Sequence, residues 1–435
     1  MSGYLRRDEH YILREIAGVP YLLPTGQMVV DFRRGIRMND TGVYLMRLLE
    51  EPRTESELTE LCAAHYQIKA EEMSSLKEDI RQFTEKLLSY GILKSAAEKN
   101  KSGSTKQAGS AENPAAEAAE RKDSSAGERN DDKILEYQIC EYQICQYQIC
   151  QYLKIGGLIL GLSGSEEAFS KQFDAFRTEP CGSVHQVIIV RTCEPVRQED
   201  GKLLLKSREI MILDGGAYYT LRFPAARQIY EARLFKDASR VFFYCRAPYT
   251  DTFREELFHA VRFVFLYLAQ RHHMAVLHSA SLLYRGRAWL FSGSSGTGKS
   301  THTNLWNRLL KTPLLNGDLN LLEIRSGKAV VHGLPWCGTS GISDTETYPL
   351  GGILLLKQAK ENRIEELSED RKQLLVSQRF ITPSWTEEQQ DCSLRFAEEL
   401  AGHALICRLH CNRENSAVTT AKREIDRYLD TSVQQ

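Results

Sequence analysis

A surplus of charge is missing from this chain. Lys and Arg number 56 and Asp and Glu 57, a net charge of -1, so no global field draws it to nucleic acid or to an anionic membrane. No long apolar run is present. The richest patch, 156–162, falls far short of the roughly 20 apolar residues that a membrane-spanning helix needs. The opening Met-Ser-Gly-Tyr-Leu-Arg-Arg-Asp-Glu-His lacks the apolar core of a secretion signal. The 11 cysteines are odd in number and irregularly spaced, which points to reduced thiols and a cytoplasmic location rather than a disulfide framework. One absence is local: residues 96–133 contain no Val, Ile, Leu, Met, Phe, Tyr, Trp or Cys. Such a segment cannot bury enough surface to offset its ordering entropy and reads as a flexible linker.

What is there divides around that gap. The 435 residues exceed one ordinary core, and the composition gives domains at 1–95 and 134–435. In the first, Tyr11–Ile16, Val19–Leu23 and Gln27–Phe32 read as short strands, with a turn at Pro24–Gly26. Helices are expected over Thr41–Glu50, from Thr54 with Glu57 as its capping-box partner, and over Ala70–Tyr90, stopped by Gly91. Met73, Leu76, Ile80, Phe83 and Leu87 share one face of the last. This is a small winged-helix-like α+β arrangement. Its 13 Lys and Arg against 15 Asp and Glu lack the basic footprint of a DNA-binding module.

At the join, Tyr-Gln-Ile-Cys occurs at 137–140, 142–145 and 147–150. A period of five fits neither strand nor helix and is taken as a duplicated strand lead-in. Cys140, Cys145 and Cys150 do not have zinc-site spacing. Beyond it, Leu153–Leu162 and Ser183–Thr192 read as strands and Phe253–Gln270 as a helix. Strands Ala275–Tyr284 and Arg287–Ser292 follow, then a helix Lys299–Leu310 and a strand around Leu314–Ile324. Ala329–His332 and Gly352–Lys357 are further strands, and 416–429 is a terminal helix. The domain class is α/β.

Between the strand ending at Ser292 and the next helix lies Gly293-Ser294-Ser295-Gly296-Thr297-Gly298-Lys299-Ser300, followed by Thr301. It satisfies G-x-x-x-x-G-K-[ST], a phosphate-binding loop. Glycines let successive amides face one concavity, and the helix N-terminus adds unpaired N–H groups and its dipole. Lys299 is expected to reach the terminal phosphates of ATP and the Ser300 hydroxyl to ligate Mg²⁺. Transfer to an alcohol also needs an acid–base group. Asp318, in Leu315-Asn-Gly-Asp-Leu-Asn320, is the candidate for metal ligand, base or both. His278, in Leu277-His-Ser-Ala-Ser281, lies on the strand before the loop strand. The run His332-Gly-Leu-Pro-Trp-Cys-Gly-Thr-Ser-Gly341 is a loop of fixed shape whose His332, Thr339 and Ser340 are candidate pocket residues.

In order and spacing, Leu277–Ser281, Gly293–Ser300 and Asp318 resemble the HPr kinase/phosphorylase-like fold, a relative of ATP-dependent phosphoenolpyruvate carboxykinase. The resemblance covers about 230–360. It implies a compact nucleotide-binding domain with a mixed sheet, Lys299 and Ser300 as phosphate and Mg²⁺ ligands, Asp318 as the catalytic or metal acid and His278 as an active-site histidine. It also implies a homo-oligomer. The family has two adjacent aspartates where this chain has Gly317-Asp318. Residues 1–95 resemble PqqD, the RiPP recognition element, through Ile12–Leu23, Asn39–Gly42 leading into Tyr44–Leu49, Thr54–Tyr66 and Leu87–Leu93. That resemblance implies that the leader of a ribosomally made precursor peptide adds as a strand. The groove would involve Val29–Arg34 and the outer face of Leu76–Leu87, with Arg33, Arg34 and Arg37 favouring an acidic leader.

Together these features lead us to expect an ATP-dependent kinase acting on a Ser or Thr hydroxyl of a captured peptide. Two other readings stay open: a same-fold ATP-dependent enzyme acting on a small molecule, and a non-catalytic, nucleotide-gated peptide chaperone.

Overall fold

The computed structural model describes residues 3–31, 35–96, 148–180, 182–194 and 201–432. The 96–133 segment, apart from Ala96, and the cysteine repeat before Gln148 lie outside the described residues. The architecture is mixed α/β, with a small N-terminal unit and a C-terminal part built on two large mixed sheets.

In the N-terminal unit, Tyr11–Ile16 and Val19–Pro24 form a hairpin, and Ile36–Arg37 adds to it as a third strand. Helices Asp40–Leu48, Glu55–Tyr66 and Met73–Ser89 pack beside it, and Tyr4–Arg7 pairs with Leu93–Ala96. The Thr54–Glu57 capping box forms in both directions. One expectation is overturned: Gln27–Asp31 is a short helix, not a strand. Its first turn closes on Thr25 and Gly26, while the Gly26 amide donates to the Ser384 carbonyl and the Lys206 amide donates to Gln27 Oε1. Contacts from distant residues override the strand preference of Val29 and Val30.

In the C-terminal part, a nine-stranded sheet runs Lys202–Lys206, Met211–Asp214, Tyr218–Arg222, Ile229–Phe235, Arg240–Cys245, Gln186–Thr192, Leu158–Ser163, Ile149–Ile155 and Arg177–Thr178. The stretch expected as one strand over 153–162 is two, because Gly156 and Gly157 both take positive φ and turn the chain back. The second sheet contains Arg287–Ser292, Met274–Tyr284, Leu319–Arg325, Lys328–His332 and Thr347–Gln358. These five close on themselves, since the first also pairs with the last. Helix Asp251–Arg271 packs between the sheets. Its Phe253, Leu257, Val261, Val264, Phe265 and Leu268 are all buried, each contributing about 1.5–3 kcal/mol of apolar burial. Helices Lys299–Leu310 and Asn415–Ser432 cover the outside of the closed strands around Trp289, Phe291 and Trp306.

The hairpin of the N-terminal unit does not stand apart. Ile12, Ile16, Tyr21 and Leu23 pack on Leu374 and Leu394, on helices Glu369–Ser377 and Glu387–Ala401. Arg14 makes a forked pair with Asp391 at 2.7 and 3.1 Å. Tyr21, 4% exposed, donates to Asp370 at 2.6 Å. Burial and that acceptor push the Tyr21 phenol up from 10.0 to about 12. A raised folded value gives stability that is complete below pH 10 and is lost as pH climbs towards 12. Wild-type protein should therefore lose about 2 kcal/mol more than Tyr21→Phe across that window, read by urea denaturation at both pH values. Equal losses would contradict the burial of this phenol.

Candidate functional site

The glycine loop sits where the sequence places it. Strand Arg287–Ser292 ends in it and helix Lys299–Leu310 leaves it. Gly298 precedes the helix with φ 103, a conformation open to glycine at little cost. Thr297 fastens the turn by donating its hydroxyl to the Ser294 carbonyl at 2.7 Å, and Gln358 Nε2 holds the Gly296 carbonyl at 3.0 Å. Gly293 is buried, Thr297, Gly298 and Lys299 are half-buried, and Ser294, Ser295, Gly296, Ser300 and Thr301 are exposed. The loop thus opens to solvent from a rigid base. Lys299 Nζ folds back to 3.4 Å from the Gly293 carbonyl.

Asp318 stands just before strand Leu319–Arg325, not within it. The strand expected from Leu314 begins only at Leu319, and Leu314 forms an isolated bridge to Leu282. Register carries the next step: His278 pairs with Leu319, and the Ser279 amide donates to the Asp318 carbonyl at 2.9 Å. His278 Nε2 consequently lies 3.1 Å from Asp318 Oδ1. That hydrogen bond holds the Asp318 carboxyl below its ordinary value against the opposing effect of burial, and the charges of Lys299 and Arg262 act in the same direction. Burial also lowers the Lys299 ammonium, with Asp318 raising it and Arg379 lowering it. The three residues singled out as catalytic candidates therefore form one electrostatic unit beside the glycine loop.

A buried network fixes the backbone on both sides of Asp318. Ser281 Oγ donates to Asn320 Oδ1 at 2.7 Å, Asn316 Nδ2 donates to the same oxygen at 3.1 Å, and Asn320 Nδ2 donates to the Ser279 carbonyl at 2.7 Å. All four side chains are buried, and the mutual pairing avoids the cost of unsatisfied polar groups. The segment 337–341 lies directly over the site. A Cβ on Gly317 would stand 1.8 Å from Ser340 Oγ, and one on Gly338 3.1 Å from Asp318 Cγ. Gly317 therefore cannot be an aspartate without displacing this segment, which gives a steric reason for the single acid here.

His332 does not join the site. It is buried, with Nε2 2.9 Å from Glu323 Oε2 and Nδ1 2.8 Å from Thr347 Oγ1, and burial lowers its pKa. It is a satisfied core histidine. Trp336 is also interior and donates to the Phe258 carbonyl at 2.8 Å. Ser340 donates to the Cys337 carbonyl, shaping the loop. Arg262 and Arg379 were not legible in advance, because each belongs to a helix or its exit with no surrounding motif.

The donors around the loop suit a hard cation. Ser300 offers an exposed hydroxyl and Asp318 an ionised, half-buried carboxylate, a pairing typical of Mg²⁺ and unlike the thiolate and imidazole sets of softer metals. Among the described residues no cluster of three or more His, Cys, Asp or Glu could hold an ion by itself.

A second site lies in the N-terminal unit. A groove of 470 Å³ is lined by Ile36, Arg37, Met38, Asn39, Phe83, Lys86, Leu87 and Tyr90. One wall is the strand Ile36–Arg37, which among the described residues pairs only with Val19–Pro24 and so is an edge of its sheet. The other is the last turns of helix Met73–Ser89. This groove shares Phe83–Leu87 with the face expected for a peptide groove, whereas of the expected strand Val29–Arg34 residues 29–31 are helical and 32–34 lie outside the described residues. Arg37 lines it; Arg33 and Arg34 lie outside the described residues. Residues 26–93 match the family described as Coenzyme PQQ synthesis protein D (PqqD).

Over residues 26–93 the chain is similar to PqqD. The PqqD-like stretch contains every residue that lines the groove. A solved structure described as the Hpr(Ser) kinase/phosphatase from Coxiella burnetii aligns over 37% of this chain and 99% of its own, at 10% identity and a TM-score of 0.22. No curated protein matches. No helix among the described residues is long and apolar enough to cross a membrane.

Proposed function

We propose that the chain is a leader-guided peptide kinase, with residues 1–95 capturing a precursor peptide, 96–133 joining the two parts and 134–435 transferring phosphate to it. The observation that carries this reading is Asp318, held ionised by His278 beside the glycine loop and next to Lys299. Gly293–Ser300 cradles the ATP phosphates through its amides and the helix N-terminus. Ser300 and Asp318 would hold Mg²⁺, which neutralises phosphate charge when bound. Asp318 accepts the proton of a peptide Ser or Thr hydroxyl, whose oxygen forms the new bond to the γ-phosphorus as the bond to the β-phosphate oxygen breaks and ADP departs. His278 orients the carboxylate by its hydrogen bond, and Lys299 stabilises charge on the departing phosphates.

The groove supports the substrate assignment. An edge strand offers free main-chain groups to an extended peptide. Phe83 and Leu87 form an apolar floor, and Arg37 and Lys86 add positive charge suited to acidic residues in the leader. The test is ADP release by the full chain with and without a candidate precursor peptide, sought among short reading frames near its gene. Release should rise at least about tenfold with the peptide, as expected when the true acceptor completes the site. An equal rate in its absence would mean that ATP is hydrolysed by water and the peptide is not the acceptor, and no release at all would favour a nucleotide-gated chaperone or an acceptor other than this peptide.

A further inference from the structure

The strand that carries His278 changes partner at that residue. Met274–Tyr284 pairs with Leu319–Arg325 over Met274–His278 and with the loop strand Arg287–Ser292 over Ser279–Tyr284. The other edge of Val276–His278 is taken by the segment after helix Glu369–Ser377. There the Ile381 amide donates to the Val276 carbonyl at 2.9 Å, and the His278 amide donates to the Arg379 carbonyl at 3.0 Å. His278 therefore lies one residue beyond the last rung of its ladder with the loop strand, Ser279 with Ser292. A side chain spans that gap: Ser292 Oγ donates to the His278 carbonyl at 2.8 Å.

This hydroxyl differs in kind from its surroundings. Ala288, Trp289, Leu290 and Phe291 before it are buried and apolar, and Ser292 itself is fully buried. Burying a hydroxyl is unfavourable unless a hydrogen bond compensates it, and alanine would pack there without that cost. The six rungs from Ser279–Ser292 to Tyr284–Arg287 already join the two strands, so the fold does not depend on the bond. What the bond connects is specific. Directly after Ser292 the phosphate loop begins at Gly293, and the residue that accepts places its Nε2 3.1 Å from Asp318 Oδ1. We propose that Ser292 is a positioning residue: its hydroxyl fixes the His278 main chain, and through the imidazole the Asp318 carboxylate, against the base of the phosphate loop. Its consequence for catalysis rests on the phosphotransfer reading, in which the carboxylate must face the γ-phosphate. A displacement of about 1 Å at such a site slows a reaction by up to about a hundredfold.

The test uses the full chain with Mg²⁺ and two readouts. In Ser292→Ala, kcat for phosphate transfer to the peptide should fall by about ten- to a hundredfold, while KM for ATP stays within about threefold. Ser292→Cys, close in size to serine and only a weak donor, carries the comparison if the alanine variant melts early. The second readout is the ring signal of His278 in the NMR spectrum of protein labelled at histidine nitrogen, assigned with His278→Gln. In Ser292→Ala it should move towards the position it takes in Asp318→Asn, where the ring's partner is altered. With wild-type protein active, a folded variant whose rate or ring signal stays at the wild-type value would overturn the assignment. So would an equal loss of ATP affinity, which would place the effect in the loop itself. Absence of transfer by wild-type protein would sink the kinase reading, while the ring signal would still decide whether Ser292 holds His278 on Asp318.

Discussion

Lys299→Ala is expected to slow phosphate transfer to the peptide by about a thousandfold, the scale on which a preorganised charge at a transferring group acts. The lysine begins the loop helix, its ammonium turns back over the loop, and it shares its field with Asp318. Asp318→Asn should lose as much, for a different reason: the amide cannot accept the hydroxyl proton and is a poor Mg²⁺ ligand. The two variants separate in binding. Lys299→Ala should weaken ATP affinity markedly, whereas Asp318→Asn should retain nucleotide binding in the absence of Mg²⁺. Both should bind the peptide as wild-type protein does, because the groove at Ile36–Tyr90 belongs to another part of the chain. Steady-state rates with calorimetry for each ligand check this. Loss of peptide binding in either variant would contradict the division of labour, and a rate within tenfold of wild type would remove that residue from the mechanism.

Leu87→Asp should have the second large effect. Leu87 is 5% exposed, lines the groove and also touches the core of the N-terminal unit. A charge there denies an extended peptide its apolar floor and repels an acidic leader. Peptide affinity should fall by about a hundredfold, the scale of a desolvated contact at the centre of an interface. Turnover at saturating peptide should recover, because the phosphate site is untouched. Phe83→Ala is the milder companion: Phe83 is only partly buried, so its truncation tests the groove without placing a charge near the core. Fluorescence anisotropy of labelled peptide reads both. Unchanged affinity in the two variants would place the leader elsewhere.

The turn at Gly293–Ser300 was legible as local geometry, since consecutive residues encode it and the helix begins at Lys299 as its spacing predicts. The pairing of His278 with Asp318 was legible only as two suspicious residues. Their contact depends on the register of two antiparallel strands 40 positions apart, which no local pattern records. The same holds for the Ser281–Asn316–Asn320 network, whose members read singly as polar residues in apolar strands. His332 shows the converse: a histidine in a glycine-rich loop sequence looked accessible, and strand pairing put it in the core with Glu323 and Thr347. The strands between Lys202 and Cys245 escaped notice because Lys, Arg and Glu interrupt the alternation. Long arginine side chains such as Arg191, Arg233 and Arg240 lie over Phe242, Tyr244 and Phe235, so charged residues occupy a largely buried sheet face. Docking of the hairpin on helix Glu369–Ser377 was invisible for a simpler reason. Tyr21 and Asp370 are 349 residues apart, and nothing in either segment names its partner.

The central claim is tested most directly by the mass of the peptide. The full chain is incubated with Mg²⁺, γ-labelled ATP and a candidate precursor peptide that binds its N-terminal unit, and the product is fragmented. The account predicts a peptide heavier by one phosphate, with the label on a Ser or Thr and no gain with Lys299→Ala or Asp318→Asn. A peptide that binds in the Ile36–Tyr90 groove, in the presence of bound ATP, and leaves with its mass unchanged would contradict it.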